Sequence, residues 1–330
     1  MLFCYSGMRY NLRRHIYLNN YQIAYALLGS NNHNKKLTPN TPSAIDLKKY
    51  TAIKKMHNEH LERSRIGYNY LDKECISFDV INGLTKVRTR NDFCYGYNST
   101  FGYLDTTGTA SGLYSKQLIS KAMNELIEKN EMLLLWYLKK GHQLVIDNDI
   151  KNLISRIGFY SNEVFVFLSD YISNVYTIAV VLFHKNQLMA TGISLNEDEN
   201  VGLINALMEA KLMESIFLED SLNTYKDLFS KEDYEKIYEQ IITFSAKFNK
   251  INYKQLSKKN IVLGNWVNNL EVAMLNIHPT EELATIRCCS TDLVNAIPLK
   301  EYLLESNKKI LFKFGITNEY LLKCVNSIFI

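Results

Sequence analysis

The segment Ser111–Leu138, SGLYSKQLISKAMNELIEKNEMLLLWYL, constrains this chain more than any other: a glycine-containing turn runs into a long stretch of helical apolar periodicity. A helix here sets Glu125 and Glu128 three residues apart on one face. Like charges so placed repel by roughly a few tenths of a kcal/mol, so the pair costs the helix stability unless a cation lies near. Charged helix positions are ordinarily solvated. Glu232 and Glu235 repeat the same spacing in a plainly amphipathic, charged stretch. Spacing alone leaves both settings open, surface decoration and cation site.

Two further helical patterns carry carboxylates. Residues 45–70 place Ile53, Met56, Leu61 and Ile66 at helical spacing up to Gly67, and bear Glu59, Glu62 and Arg63. Residues 201–218 place Leu203, Ile204, Leu207, Met208, Leu212, Ile216 and Phe217 at intervals of three, four and seven, and bear Glu209. Between and after them, residues 75–81, 164–168, 176–183 and 283–289 read as strands and residues 148–157 as a helix. Residues 88–107 read as loops or edge strands, 192–202 as a loop, and 221–270 as charged amphipathic helices. Helices and strands alternate without a βαβ rhythm, which predicts an α+β fold with mixed or antiparallel sheets. Residues 1–44, with an Asn-, Ser-, Thr- and Pro-rich loop at 29–43, read as an N-terminal extension to a domain over 45–330.

Convergence of these helices gathers four or five carboxylates, a donor set that makes sense only around hard cations. Mg²⁺ takes carboxylate oxygens with retained waters and shares its shell with nucleotide phosphates, and Arg63 and Lys129 are placed to neutralise phosphate. That chemistry points to ATP, although the Gly-x-x-x-x-Gly-Lys-Ser/Thr loop, the dinucleotide Gly-x-Gly-x-x-Gly and the kinase motifs are all absent. His57, Glu59 and His60 do not have the His-Glu-x-x-His spacing of a zinc enzyme. A net charge of +4 from 38 basic and 34 acidic residues, with no basic stripe, argues against nucleic acid. Six cysteines without Cys-x-x-Cys spacing read as reduced cytoplasmic thiols, the adjacent Cys288 and Cys289 as inert buried ones, and no apolar run is long enough to span a membrane.

In this order the motifs resemble those of the YcaO superfamily. Glu59-His-Leu-Glu62-Arg63 is similar to its first Glu-x-x-Glu-Arg signature and Glu125-Leu-Ile-Glu128-Lys129 to its second. Gly192 through Ala206-Leu207-Met208-Glu209 resembles its glycine loop and Ala-Leu-x-Glu segment. The likeness covers about residues 45–220, extends loosely to the 283–289 strand and Pro298, and is nearest to the cyclodehydratase subunit of microcin-type azole biosynthesis.

The resemblance implies a YcaO-like catalytic domain over 45–330, its motifs in 45–220 and a C-terminal part in 221–330, with the Glu-bearing helices converging on a nucleotide site. It implies an ATP- and Mg²⁺-dependent enzyme forming thiazoline or oxazoline rings in a ribosomally made precursor peptide. A leader-binding, E1-like partner subunit and a flavin-dependent azoline oxidase would accompany it in a cytoplasmic hetero-oligomer. Glu59, Glu125 and Glu128 would be the catalytic, Mg²⁺-binding residues, and Glu62, Arg63, Lys129 and Glu209 would surround the nucleotide. The chain departs from the family pattern at Lys129, which replaces Arg, and at Leu113, Gln117, Asn205 and Leu212, and its KCVNSIFI end is not proline-rich. Those departures keep a non-catalytic scaffold subunit, and a thioamide- or amidine-forming member, as alternatives.

Overall fold

The structure is a computed structural model that describes residues 9–13, 21–27, 32–33, 36–39, 41–68, 70, 73–218, 228–276 and 281–330. Three sheets organise it. The first joins β1 (Arg9–Arg13), β2 (Gln22–Leu27) and β3 (Ser43–Asp46), antiparallel in that order. Much of the 29–43 loop expected from sequence lies outside the described residues. Helix α1 (Lys49–Ile66) follows β3 and buries Ala52 and Met56 against Ala24, Ala26 and Ala44 of this sheet. It ends at Gly67, as its apolar spacing predicts.

The second sheet is wholly antiparallel. Its strands are β4 (Glu74–Asp79), β5 (Leu84–Thr89), β6 (Thr109–Gly112), β12 (Glu271–Met274) and β13 (Ala284–Cys289), in the order β6–β13–β12–β4–β5. Its outer half is inverted relative to a simple amphipathic sheet. Buried Glu271 accepts a bidentate pair of bonds from Arg88 and further bonds from Lys86, Ser77 and Asn269. The opposite face leaves Ile76, Phe78, Val87 and Met274 exposed.

The third sheet has the order β10–β9–β8–β7–β11, built from β7 (His142–Leu144), β8 (Glu163–Ser169), β9 (Thr177–His184), β10 (Gln187–Leu195) and β11 (Asn249–Ile251). Only its β7–β11 pair is parallel. Strand β10 occupies part of the stretch read from sequence as a loop. Gly192 is a strand residue because a helix lies directly on it: an added Cβ would come within 2.1 Å of Ala206 O and 2.4 Å of Ala210 N. The glycine that looks like a turn signal is a packing contact.

Helix α2 (Ser115–Leu138) lies between the second and third sheets. Leu126, Ile127, Leu133, Leu134 and Trp136 meet Ile286 and Cys288 on one side and Phe167, Val181 and Ile193 on the other, in one fully buried cluster. Helix α4 (Glu199–Leu218) covers the far face of the third sheet, with Leu203, Ala206, Leu207 and Ala210 against Val166, Ile178, Val180 and Ala190. Helix α3 (Asn148–Ile157) is capped by Asp147 and ended by Gly158, and α5 (Lys231–Lys247) adds Ile237, Ile241 and Phe244 to the core beside α2. Of the amphipathic stretch expected over 221–270, residues 221–227 lie outside the described residues. Beyond 247 it is a short strand, one 3-10 turn and irregular chain rather than helix, because Pro-free but Asn- and Gly-containing segments there bond to loops, as Gly264 N–H does to Ile172 O.

The C-terminal Ile328 and Phe329 are buried, Phe329 edge-on to Trp136. Among the described residues no helix is long and apolar enough to cross a membrane.

Candidate active site

The free edges of the three sheets come together. β3, β6 and β10 are each the last strand of a sheet, so their outward N–H groups have no ladder partner. An unpaired strand edge must be covered or paired. Here glutamates do it. Glu59 of α1 accepts from Ser43 N at 2.8 Å and Glu62 from Ser111 N at 2.8 Å. On α2, Glu125 accepts from Gly108 N at 3.1 Å and Thr109 N at 3.2 Å, and Glu128 from Leu195 N at 2.5 Å. Glu209 of α4 accepts from Ile193 N at 2.6 Å. Asn124 completes the grip on Leu195 by donating to its carbonyl at 3.1 Å.

Two glycines make these contacts possible. Gly192 lets α4 approach closely enough for Glu209 to reach the neighbouring Ile193. Gly108 has φ +78°, and a Cβ there would stand 2.5 Å from Cys288 O. That left-handed turn directs two successive N–H groups at one Glu125 oxygen.

The five carboxylates repel one another in sequence: Glu59 with Glu62, Glu62 with Glu125, Glu125 with Glu128, and Glu128 with Glu209. Burial, with the negative charge of Glu62 adding to it, pushes Glu125 up to about 8 against the pull of Lys121 and Lys129. Burial likewise raises Glu128 to about 7, opposed by the Leu195 N–H and reinforced by Glu209. Glu59 and Glu209 are also raised by burial, Glu59 despite Arg63 and Glu209 despite Lys129. Glu59, Glu125, Glu128 and Glu209 are therefore each costly to ionise in the absence of further positive charge.

All seven residues expected from sequence at the site fall in this region. Lys129 is buried, within reach of Glu125, Glu128 and Glu209, and forms no direct ion pair with them. Arg63 pairs with Glu59 at 2.5 Å. Glu59, expected as a metal ligand, has both oxygens engaged, by Arg63 and by Ser43. By contrast Glu62 Oε2, Glu125 Oε1, Glu128 Oε2 and Glu209 Oε1 accept no hydrogen bond from the described residues. No three carboxylate, imidazole or thiol groups among the described residues form a ready-made metal cage. The open oxygens nevertheless fit Mg²⁺, which takes one or two carboxylates and completes its octahedron with water and phosphate. His57 and His60 have ring centroids 6.2 Å apart and form no part of a metal cluster. Glu232 and Glu235, with the same spacing as Glu125 and Glu128, are exposed.

Two residues were not evident from sequence. Lys121, one turn before Glu125, reaches Glu62 Oε1 at 2.8 Å. Arg287 stands opposite Thr109 across the β6–β13 pair, fully buried, with the Cys289 thiol beside it and no oxygen acceptor within hydrogen-bond reach of its guanidinium among the described residues. Its charge faces the Cys94 and Cys289 thiols and the Tyr95 phenol. A lone arginine in the apolar run LATIRCC was the only signal for it. Cys288 and Cys289 are buried as expected, Cys94 is buried too, Cys75 and Cys324 are half-buried, and all five are free thiols.

Three sheet edges, two from antiparallel sheets and one from a mixed sheet, sealed by glutamates from three helices define an α+β protein whose polar site is built from carboxylates, without a glycine-rich phosphate loop. The family model for YcaO cyclodehydratase, ATP- and Mg²⁺-binding, matches residues 89–266, and the chain belongs to that family. ATP and Mg²⁺ are thus the cofactors of its family. A comparison with curated proteins finds no match. Among solved structures, the fold is similar to YcaO from Methanopyrus kandleri bound with AMPPCP and Mg²⁺, at TM-score 0.68 and 10% identity over 88% of this chain and 86% of that one. It is also similar to a chain of the E. coli microcin synthetase McbBCD complex, at TM-score 0.66 and 12% identity over 96% and 95%. A heterocyclase in complex with substrate and cofactor has TM-score 0.66 and 11% identity, over 95% of this chain and 53% of its own.

Proposed function

We propose that this chain is an ATP- and Mg²⁺-dependent cyclodehydratase of peptide backbones, forming thiazoline or oxazoline rings in a ribosomally made precursor. The observation that carries the reading is the convergence of Glu62, Glu125, Glu128 and Glu209 with one oxygen pinned by a strand-edge N–H and the other open. In the reaction a Cys, Ser or Thr side chain of the substrate adds to the preceding amide carbon. The former amide oxygen leaves as phosphate, so the peptide loses one water per ring as ATP becomes ADP and phosphate. Bound Mg²⁺ and ATP supply the phosphoryl group and the charge neutralisation.

The chain's own groups orient and neutralise. Glu125, Glu128 and Glu209 would hold the metal, preorganised by their N–H anchors. Lys129 is the buried cation nearest those three, placed to balance phosphate charge. Glu59 and Arg63 brace α1 against β3 and shape the nucleotide end of the site. No Ser or Cys stands in a nucleophile setting, in keeping with chemistry that needs positioning more than covalent catalysis.

The reading includes a partner. The McbBCD neighbour is by its name a complex, and one solved form has pro-MccB17 bound. Here Ile76, Phe78, Val87 and Met274 offer an apolar face beside the β5 edge, the setting of a subunit that presents the precursor's leader. A flavin-dependent oxidase would act on the azoline afterwards, in the cytoplasm.

Calorimetry with Mg²⁺ and a non-hydrolysable ATP analogue tests the site. Incubation with partner, ATP and a Cys- or Ser-rich precursor tests the reaction, and no ATP-dependent loss of water from the peptide would refute it. A scaffold that has lost turnover is favoured by one feature, the exposed Leu113, Gln117 and Asn205 at positions that depart from the family pattern. It predicts that nucleotide binding is undetectable even within the complex. A thioamide or amidine product would instead show as a different mass change.

A further inference from the structure

We propose that Lys121 is a resident counter-cation that occupies the Glu59–Glu62 end of the carboxylate cluster in place of a divalent ion, confining the divalent site of this chain to Glu125, Glu128 and Glu209. The inference rests on the nucleotide-site reading above and deepens it. The five carboxylates divide into two ends, each with one lysine. At the first, Lys121 Nζ lies 2.8 Å from Glu62 Oε1, the same oxygen that holds Ser111 N–H, with Glu59 and Glu125 as its next facing charges. Glu59 is closed to a metal there, since Arg63 and Ser43 take both its oxygens. One open oxygen remains, Glu62 Oε2.

The second end is built differently. Among the described residues Lys129 makes no direct ion pair, and Glu125, Glu128 and Glu209 each present an open oxygen. At full ionisation the five glutamates outnumber Arg63, Lys121 and Lys129 by two charges, the charge of a single divalent ion. An ammonium satisfies carboxylates through hydrogen bonds at about 2.8 Å, whereas Mg²⁺ demands an octahedron at about 2.0–2.1 Å. The first end suits the former and the second the latter. The Lys121 side chain is also 57% exposed, approaching Glu62 from the solvent side, so truncating it opens no core cavity.

Mn²⁺, read by electron paramagnetic resonance as a substitute for Mg²⁺, counts the ions bound per chain with and without the ATP analogue. Lys121→Ala should bind one more Mn²⁺ than the wild type, Lys121→Arg the wild-type number, and the Lys121→Ala/Glu62→Gln double variant should lose the added ion. An unchanged count and affinity in Lys121→Ala, with wild-type circular dichroism, overturns the proposal. If the wild type binds Mn²⁺ and analogue while Lys121→Ala adds nothing, the proposal alone fails. If no variant binds either, the nucleotide reading fails with it.

Discussion

Glu125→Gln separates the energetic cost of the site from its use. The amide keeps an oxygen for the Gly108 and Thr109 N–H groups but removes a charge that burial and Glu62 oppose. A carboxyl raised from 4.5 to about 8 is protonated in the folded chain where the unfolded chain has ionised it. The folded state then binds more protons, so this group's contribution to stability is complete below the unfolded pKa and is lost as pH rises through about 8. The loss is at most about 1.4 kcal/mol per pH unit, and about half that for a group that water still reaches. Between pH 6 and pH 8 the variant should gain on the wild type by about 1–3 kcal/mol. For 330 residues that is about 1–4 °C in melting temperature. Scanning calorimetry of both proteins at the two pH values checks it. The same scans with Mg²⁺ and the ATP analogue should stabilise the wild type more at pH 8 than at pH 6, because the metal takes the ionised form, and should leave Glu125→Gln nearly unmoved. A variant less stable than the wild type at pH 8, or one that keeps the full metal-dependent shift, would refute the reasoning.

Three further perturbations address other parts of the site. Gly192→Ala forces α4 off β10, so it should cost about 3 kcal/mol or more in urea unfolding and weaken nucleotide binding through Glu209, while an unchanged midpoint would show that the contact gives way freely. Arg287→Met removes a buried charge that no oxygen acceptor among the described residues meets and should stabilise the protein by about 1–3 kcal/mol in urea unfolding; destabilisation would mean that the guanidinium is already satisfied, by the Cys289 thiol beside it. Val87→Glu places a charge on the exposed apolar face and should abolish co-elution with the leader-binding partner in size-exclusion chromatography while leaving nucleotide affinity unaltered, and co-elution retained would move the interface elsewhere.

Periodicity found the long helices because their apolar stripes are dictated by one sheet or two. α3 matched residue for residue, since Asp147 and Gly158 are strong local signals at its ends. Gly192 was misread for the same kind of reason: a glycine's local meaning is a turn, and its close contact with Ala206 and Ala210 depends on a helix that arrives later in the chain. The seven residues that the structure gathers at the sheet edges were legible as motifs, but not what binds them. Spacing does not distinguish Glu128, anchored to Leu195, from Glu235, exposed on α5, because the difference lies in a strand edge far away in sequence. Lys121 and Arg287 were invisible for the complementary reason. Each looks ordinary alone, and only the tertiary position of Glu62 or the burial of a guanidinium among thiols gives it weight.

The sheet edges explain why fold and site are one construction. A free edge offers N–H groups that invite pairing with any passing strand, and natural proteins cover or charge such edges. This chain closes three edges at one place with glutamates, which hold the N–H groups most strongly when ionised and repel one another when they are. Neither demand is met in full without added positive charge. Protonation relieves the repulsion but weakens the charge-assisted bonds to the edge, whereas a cation relieves it and keeps them. A divalent ion held by Glu125, Glu128 and Glu209 would therefore tighten β6 and β10 onto α2 and α4, and couple occupancy of the site to the docking of the second and third sheets. Amide hydrogen exchange at Gly108, Thr109, Ile193 and Leu195 should slow together on adding Mg²⁺ with the ATP analogue, and not with the analogue alone; slowing confined to one strand would show that the edges close independently.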